Sequence, residues 1–279
     1  MLTKTTTDTP PADEDAPPLQ LPDAQTVLHA NKVEKTYGNG THALARMSLR
    51  IQRGDFVSLL GPSGCGKSTL LKMFAGLEEP SHGHIRWAGA DDPAKSGLKS
   101  AMVFQEATLM PWATVAANVR LPLDLQKVPT KEANARVATA LTQVGLGTFG
   151  QVYPRELSGG MQMRASIARA LVTEPDVLLM DEPFGALDEF TRNKLDTDLR
   201  ALWQVKSLTV VFVTHSIYEA VFLSSRVVMM AARPGRIVAD IPLNEPDRSA
   251  AYRLSAPFSE HCRDISSLLM LASETSDLH

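Results

Sequence analysis

Three groups of residues have the types and spacing needed for phosphate chemistry, and the first is a glycine-rich loop. Its residues are, in order, Gly61, Pro62, Ser63, Gly64, Cys65, Gly66, Lys67 and Ser68. Glycines let successive backbone N–H groups approach phosphate oxygens, a lysine adds positive charge, and a serine hydroxyl is a ligand for Mg²⁺. We therefore predict a nucleoside triphosphate site, in which Cys65 serves by its small size rather than by redox chemistry.

The second group is a pair of acids that directly follows the apolar residues 177–180. A carboxylate at the end of a strand, opposite a phosphate loop, can hold Mg²⁺, and this predicts a metal ligand at Asp181. The next residue, Glu182, can face the γ-phosphate and polarise the attacking water. Alone, such a pair could equally be charged residues that end a strand at the surface. Because a phosphate loop lies upstream, we favour a catalytic role for the two acids.

The third group opens a predicted helix that runs to Leu171. It contains Ser158, Gly159 and Gly160, flanked by Leu157 and Met161. A serine and two glycines at a helix start form a second anion-binding terminus. One nucleotide does not need two such termini from one strand-loop set, so we expect this one to serve a nucleotide bound to another copy of the chain.

These groups must be positioned by a sheet. Three short apolar runs, residues 56–60, 177–180 and 209–213, are typical of strands that are buried on both faces in a parallel sheet. Each run is followed at once by polar or glycine-rich residues, where open α/β sheets bind their ligands. The sequence thus predicts a mixed α/β domain.

Helical spacing appears between and after these strands. A helix is predicted from Thr69 to Ala75, directly after the loop. A second helix is predicted to be capped by Thr130 and stopped by Gly145, and a third to follow Pro257. The apolar stripes of the last two are Val137, Ala140, Leu141 and Val144, and Cys262, Ile265, Leu268, Leu269 and Ala272.

Composition limits the remaining choices. The chain has 279 residues, 44% hydrophobic and 21% charged, with two cysteines and a net charge of −3. The longest apolar run is about six residues, against roughly 20 for a spanning helix. No secretory signal is visible, and two cysteines cannot build a disulfide framework. We expect a soluble, cytosolic protein without a nucleic-acid partner, because the charge is near neutral.

The ends of the chain differ from its middle. Residues 1–25 contain five prolines and five acids against Lys4 alone, which predicts a disordered acidic tail. That tail carries −4, so the rest of the chain is near +1. Residues 26–243 form the predicted catalytic domain, and residues 244–279 a helical extension that packs on the core or on a second copy.

Taken together, the motifs resemble those of the ATP-binding subunit of an ABC transporter, over roughly residues 28–243. Residues 61–68 resemble Walker A, 157–161 the signature and 177–181 Walker B. Four further landmarks occur in order: the adenine-stacking Tyr37, the Q-loop Gln105, the D-loop Asp188 and the switch His215. Alone, each of these would be weak evidence; their order and spacing make the resemblance specific.

The resemblance implies a P-loop ABC-type nucleotide-binding domain. Its fold would combine a RecA-like parallel-sheet core, an antiparallel β subdomain and an α-helical subdomain at about 107–170. The resemblance further implies that ATP is bound with Mg²⁺. Nucleotide contacts would come from residues 61–69 (including Thr69), Tyr37, Gln105, Ser158, Gly159, Gly160 and Asp188. The metal would be held by Ser68, Gln105 and Asp181, and catalysis would rest on Lys67, Glu182 and His215.

Two departures accompany the resemblance. Met161 stands where glutamine is most frequent, and Ser216 follows His215 where many importers have aspartate. The anion-binding chemistry belongs to Ser158, Gly159 and Gly160, so we expect activity to survive Met161. Residues 109–112, 153–161 and 232–237 resemble the nitrate/sulfonate/taurine importer subgroup, in which a signature methionine is common.

The resemblance also implies partners and a location. Two copies would pair head to tail around two ATP molecules, dock on two transmembrane permease subunits at the cytoplasmic face of the membrane, and serve a solute-binding protein indirectly. The transported solute would be a small oxyanion or organic molecule. A P-loop kinase and a soluble ABC ATPase not coupled to transport remain alternatives; the first gives no reason for residues 157–161 together with His215.

Overall fold

The computed structural model describes residues 25–91, 95–243, 245 and 248–274. The predicted acidic tail lies outside this range apart from Gln25, as do the last five residues of the predicted extension. The strands are Thr26–Thr36 (β1), His42–Gln52 (β2), Phe56–Leu60 (β3), His82–Trp87 (β4), Ser100–Val103 (β5), Val177–Asp181 (β6), Thr209–Thr214 (β7), Arg226–Ala231 (β8) and Arg236–Pro242 (β9). The helices are Lys67–Phe74 (α1), Val115–Leu125 (α2), Thr130–Gln143 (α3), Gly159–Leu171 (α4), Glu189–Lys206 (α5), Ile217–Leu223 (α6) and Ala256–Glu274 (α7).

The larger sheet has six strands in the order β5-β6-β7-β3-β8-β9. Its first five strands are parallel, and β9 pairs antiparallel with β8. Along β3, Phe56 and Leu60 pack into one apolar cluster, while Val57 and Leu59 pack into another. Because successive side chains point to opposite faces, both faces of this strand are buried. The three predicted strands are confirmed; they are neighbours, so the residues that follow them meet at one edge.

A smaller antiparallel sheet, with the order β2-β1-β4, lies against the apolar cluster that contains Leu70 and Phe74 of α1. Near the start of β2, Leu44 forms a bridge with Gly235 in the turn between β8 and β9. The phosphate loop lies close to both sheets, because a Cβ on Gly66 would overlap the side chain of Leu44 and one on Gly61 would overlap the carbonyl oxygen of Met230 in β8. The predicted combination of a parallel core with an antiparallel sheet is confirmed.

Helices α2, α3 and α4 pack against one another beside the larger sheet. In α3, Val137, Ala140 and Leu141 are buried as predicted. The prediction that Thr130 caps this helix is wrong, because the carbonyl of Pro129 already accepts the N–H of Ala133 and Thr130 is the first helical residue. The subdomain limits near residues 107 and 170 stay a prediction.

The predicted C-terminal helix is confirmed as α7, but fewer residues of its predicted apolar stripe are buried than we expected. Cys262 and Ile265 are buried, and Leu269 packs against the core, whereas Leu268 is 40% exposed. Leu268 therefore lies at the rim of the stripe, and the side chain of Ala272 lies outside the described part of the helix. Among the described residues, no helix combines the length and apolar character needed to cross a bilayer.

Candidate functional site

The phosphate loop joins the end of β3 to the start of α1. Pro62, Ser63 and Gly64 are exposed at its crest, and Gly64 and Gly66 have φ angles of +79° and +86°. Gly66 is the N-cap of α1, and a Cβ there would overlap the side chain of Leu44. Only glycine meets both the backbone and the packing requirement at this position.

Lys67 is held at the centre of the loop. Its ammonium group donates to the carbonyl oxygens of Gly61 at 2.8 Å and Pro62 at 3.0 Å, and it lies 3.9 Å from Oε1 of Glu182. The side chain is 4% exposed. A buried positive charge framed by the loop's backbone is suited to an anion with several oxygens.

Ser68 and Asp181 bring two oxygen donors together. The hydroxyl of Ser68 donates to Oδ1 of Asp181 at 2.7 Å, across 113 residues of sequence. Burial raises the pKa of Asp181, and the bond from Ser68 opposes that shift. Hard oxygen ligands of this kind fit Mg²⁺, which usually takes one or two protein ligands and completes its shell with phosphate and water. Among the described residues there is no group of three or more His, Cys, Asp or Glu side chains that could hold a metal ion.

Glu182 and His215 meet after β6 and β7. Oε2 of Glu182 lies 3.1 Å from Nδ1 of His215, within hydrogen-bonding distance. The backbone of Glu182 is left-handed, with a φ of +43°, and its N–H donates to the carbonyl of Val213 at 3.0 Å. Such a conformation costs about 1–3 kcal/mol in a residue other than glycine and clusters at functional sites. Here it accompanies a carboxylate that faces both Lys67 and His215.

Cys65 is turned away from the crest of the loop. Its side chain is fully buried, and a Cβ on Gly61 would lie 2.9 Å from its sulfur. Burial raises the pKa of the Cys65 thiol, which favours the unreactive protonated form. Cys65 therefore packs in the apolar core, in agreement with the role predicted from its small size.

Tyr37 and Thr69 are brought together at the side of α1. The hydroxyls of Tyr37 and Thr69 lie 3.3 Å apart, and the ammonium of Lys35 lies 5.1 Å from the centre of the Tyr37 ring. This places an aromatic ring beside the loop. Gln105, in contrast, is exposed two residues after β5 and forms no hydrogen bond with Ser68 or Asp181 among the described residues.

The signature residues lie at the start of α4. Ser158 is the N-cap, and its hydroxyl accepts the N–H of Met161 at 3.3 Å. Ser158 and Gly159 are exposed, whereas Gly160 is buried, and a Cβ there would lie 2.6 Å from Thr191. These residues form no hydrogen bond with residues 61–68 in the described part of the chain. Met161 contributes its backbone to the cap, so its side chain is not part of this bonding.

Two predicted positions are helix caps. Asp188 is the N-cap of α5 and accepts the N–H of Thr191 at 3.0 Å, which lowers the pKa of its exposed carboxyl. Ser216 is the N-cap of α6 and accepts the N–H of Glu219 at 3.3 Å. Serine and aspartate are both strong N-caps, which gives a physical reason why serine can replace aspartate after His215.

The sequence did not predict the residues that contact these loops from neighbouring elements and hold them in place. A Cβ on Gly235 would overlap the carbonyl of Cys65, so the turn after β8 is pressed against the phosphate loop. Asn118 is fully buried, and its side-chain amide accepts the backbone N–H of Met110 at 2.7 Å and donates to the Met110 carbonyl at 3.1 Å. The Pro-Gly pair before Arg236 marks a turn in the sequence; nothing local marks Asn118.

Arg169 supports the segment that follows Gln105. Its guanidinium donates to the carbonyl oxygens of Ala107 at 2.9 Å and Thr108 at 2.8 Å. The segment is thereby tied to α4, which begins with the signature residues. Nearby, Trp112 is 77% exposed and Phe104 is 36% exposed. Two exposed aromatic residues thus precede and follow, in sequence, the residues that Arg169 binds.

Comparison with known proteins agrees with this geometry. Residues 44–185 match the family described as ABC transporter. The chain is 44% identical over 241 residues to a taurine import ATP-binding protein of Rhizobium johnstonii, covering 84% of this chain and 91% of the relative. It is 45% identical over 210 residues to an aliphatic sulfonates import ATP-binding protein of Bacillus cereus, covering 74% and 82%. A dimeric ATP-binding cassette solved in a post-hydrolysis state with ADP and Pi superposes with a TM-score of 0.69 at 33% identity, covering 78% of this chain and 99% of that one.

Proposed function

The chain belongs to the ABC transporter family as an ATP-binding subunit, and from that premise we propose that it hydrolyses ATP to power import of a small sulfonate-like or related solute. The family prediction is confirmed by the match over residues 44–185 and by the identity to sulfonate and taurine import proteins. The single observation that carries the catalytic part is the convergence of Lys67, Glu182 and His215 at one sheet edge.

The phosphate loop supplies binding. Backbone N–H groups of residues 63–68 and the ammonium of Lys67 bind the β- and γ-phosphates of ATP, at the positive end of α1. Tyr37 stacks beside the adenine. Ser68 and Asp181, with Gln105, would hold Mg²⁺, which supplies charge neutralisation on the phosphate oxygens when bound.

Glu182 supplies the base. Its carboxylate accepts a proton from the water that attacks the γ-phosphate. It is placed to do so because it lies 3.9 Å from the ammonium of Lys67, which binds the same phosphate. His215 lies 3.1 Å from this carboxylate and orients it, and the imidazole also contacts the γ-phosphate. Hydrolysis then gives ADP and phosphate.

A second copy completes each site. Ser158 and Gly159 are exposed at the start of α4 and, within the described residues, make no bond to the loop of their own chain. In a two-fold pair, the same surfaces of two chains build two identical sites, each between residues 61–68 of one chain and residues 158–160 of the other. A related cassette is dimeric. ATP favours the closed pair because only that pair encloses it.

The membrane partner docks near Trp112. Transport requires a partner that crosses the membrane. Trp112 and Phe104 are exposed, and the segment between them is hydrogen-bonded by Asn118 and Arg169. Aromatic residues on a rigid surface are typical of interaction sites. The subunit therefore works at the cytoplasmic face of the membrane with two permease subunits, and a solute-binding protein delivers the cargo to them.

The proposal is tested with Glu182→Gln. This variant should hydrolyse ATP about 10²- to 10⁴-fold more slowly and still bind it, since only the base is removed. It should also form an ATP-dependent dimer in light scattering. A variant that stays monomeric at saturating ATP, or hydrolyses ATP at the original rate, contradicts the proposal. Co-purification with permease subunits separates an importer from a soluble ABC ATPase.

A further inference from the structure

The short helix after His215 is anchored at its first turn. α6 has seven residues, and Ser216 caps it. The hydroxyl of Thr214 accepts the N–H of Ser216 at 2.9 Å and donates to the carboxylate of Glu219. His215 lies between two residues that are both tied to this turn. The position of its imidazole therefore depends on where α6 sits.

The last turn of α6 is held by two buried arginines. Arg200 of α5 donates to the carbonyl of Leu223 at 2.7 Å. Arg248 donates to the carbonyl oxygens of Val221, at 3.0 Å, and Ser224. Positive side chains at a helix C-terminus satisfy its unpaired carbonyls and complement the helix dipole. Arg248 comes after β9, so the C-terminal extension supplies half of this support.

A second arginine of the extension joins α5 to α6. Arg253 donates to Oδ2 of Asp196 at 2.7 Å, and its guanidinium lies 3.6 Å from the ring centre of Phe222. Asp196 is fully buried on α5, while Phe222 is buried on α6. One side chain thus pairs with one helix and stacks on the other.

A neighbouring arginine on α5 links α6 to the D-loop. Arg192, one turn before Asp196, lies 3.5 Å from Oε1 of Glu219 and donates to the carbonyl of Leu187 at 2.8 Å. Arg192 thereby ties α6 to the loop before Asp188.

We propose that Arg248 and Arg253 are positioning residues for His215, and that the C-terminal extension is in this way a part of the hydrolytic machinery. Both lie outside residues 44–185, the part that matches the family. The inference rests on the proposed role of His215 in ATP hydrolysis. It gives the extension a defined role, which is to hold α6 in a fixed position relative to Glu182 and the D-loop.

The first test compares Arg253→Met with Arg263→Met in the full chain. Arg263 is an exposed residue of α7 and a matched control for loss of one arginine. Displacement of a reacting group by about 1 Å can cost on the order of 10²-fold in rate. We expect kcat for ATP to fall about tenfold or more in Arg253→Met, with KM little changed and with wild-type kinetics in the control. An unchanged kcat in Arg253→Met overturns the proposal.

The second test asks whether Arg253 acts through His215. Arg253→Met is combined with His215→Ala, and the double variant is compared with both single variants. If the effect passes through His215, adding Arg253→Met to His215→Ala lowers kcat no further. If Arg253→Met lowers kcat by the same factor with His215 present and with His215→Ala, the positioning role is overturned while the role of His215 in hydrolysis stands. A His215→Ala variant with full activity refutes the proposed role of His215 in hydrolysis, so this failure is distinguishable from failure of the positioning role.

A folding defect is separated from mispositioning by neutralising the whole pair. Arg253→Met leaves Asp196 buried without its partner, which can destabilise the fold. The double variant Asp196→Asn with Arg253→Met removes both charges and leaves neither one unpaired. It should regain thermal stability and keep the reduction in kcat. Recovery of kcat along with stability shows that Arg253 serves the fold alone, and overturns the proposal.

Discussion

The buried acid on α5 should make the stability of the protein depend on pH in an unusual direction. Asp196 is fully buried, and burial, together with the neighbouring charge of Glu219, raises its pKa from 3.8 to about 7, against the opposing effect of Arg253. An acid whose pKa is higher in the folded state holds its proton more tightly there than in the unfolded chain. Its contribution to stability is complete below about pH 4 and is lost as pH rises through about 7.

The magnitude follows from the two pKa values. They differ by about three pH units, and each unit corresponds to about 1.4 kcal/mol, so ionisation of Asp196 costs the folded state about 4 kcal/mol in all. Between about pH 5 and pH 8 the free energy of unfolding should fall by about 3 kcal/mol through this group. The amide that replaces the carboxyl in Asp196→Asn cannot ionise, so this variant should lack the dependence.

Urea unfolding of both proteins at about pH 5, 6, 7 and 8 measures the effect. The quantity to follow is the difference in unfolding free energy between wild type and variant, since the titrations of groups that do not interact with Asp196 cancel in it. Asp198→Asn is the matched control, because Asp198 lies on the same helix in a surface pair with Arg164, at 3.2 Å. A difference that stays constant across this range refutes the reasoning about Asp196.

Three further predictions concern the loops. Lys67→Ala should weaken ATP binding by about 1.5–3 kcal/mol for each charge-assisted hydrogen bond to phosphate that is removed, measured by calorimetry. Gly235→Ala should push its new methyl group into the carbonyl of Cys65, lowering ATP affinity and the melting temperature at a cost of about 1–3 kcal/mol; an unchanged affinity would contradict this close approach. Asn118→Leu removes side-chain bonds to Met110, before Trp112, and to Ala113 and Thr114, after it, so co-purification with permease subunits should fall while ATP binding persists.

The strands and loops of the site were predictable because their signals are local. The apolar run Phe56–Leu60 and the glycines after it specify a strand, a turn and a helix within about 20 residues. Neighbouring parallel strands then bring the acids after β6 to the loop after β3 by geometry alone. For this reason Lys67, Asp181 and Glu182 could be assigned to one site from their order in the chain.

Predictions were wrong, or could not be made, where a residue's role depends on interactions with residues of other elements. Thr130 is a good cap by residue type, but Pro129 already provides the first helical acceptor. Ser216 had no explanation in the sequence, because its role depends on where α6 begins. Leu268 has the spacing of a core residue and lies at the rim, since the neighbouring elements decide how wide a face α7 can bury.

The sequence by itself determined the family, and it predicted the nucleotide and the chemistry of each motif, since these predictions depend on residue type and short spacing. Only the tertiary structure decided how the motifs are supported. His215 reaches Glu182 across 33 residues, and Arg253 reaches Asp196 across 57. Interactions at such separations depend on packing of whole helices rather than on any local preference, so no pattern in the chain marks them. The C-terminal extension acquires its place beside the hydrolytic site in this way.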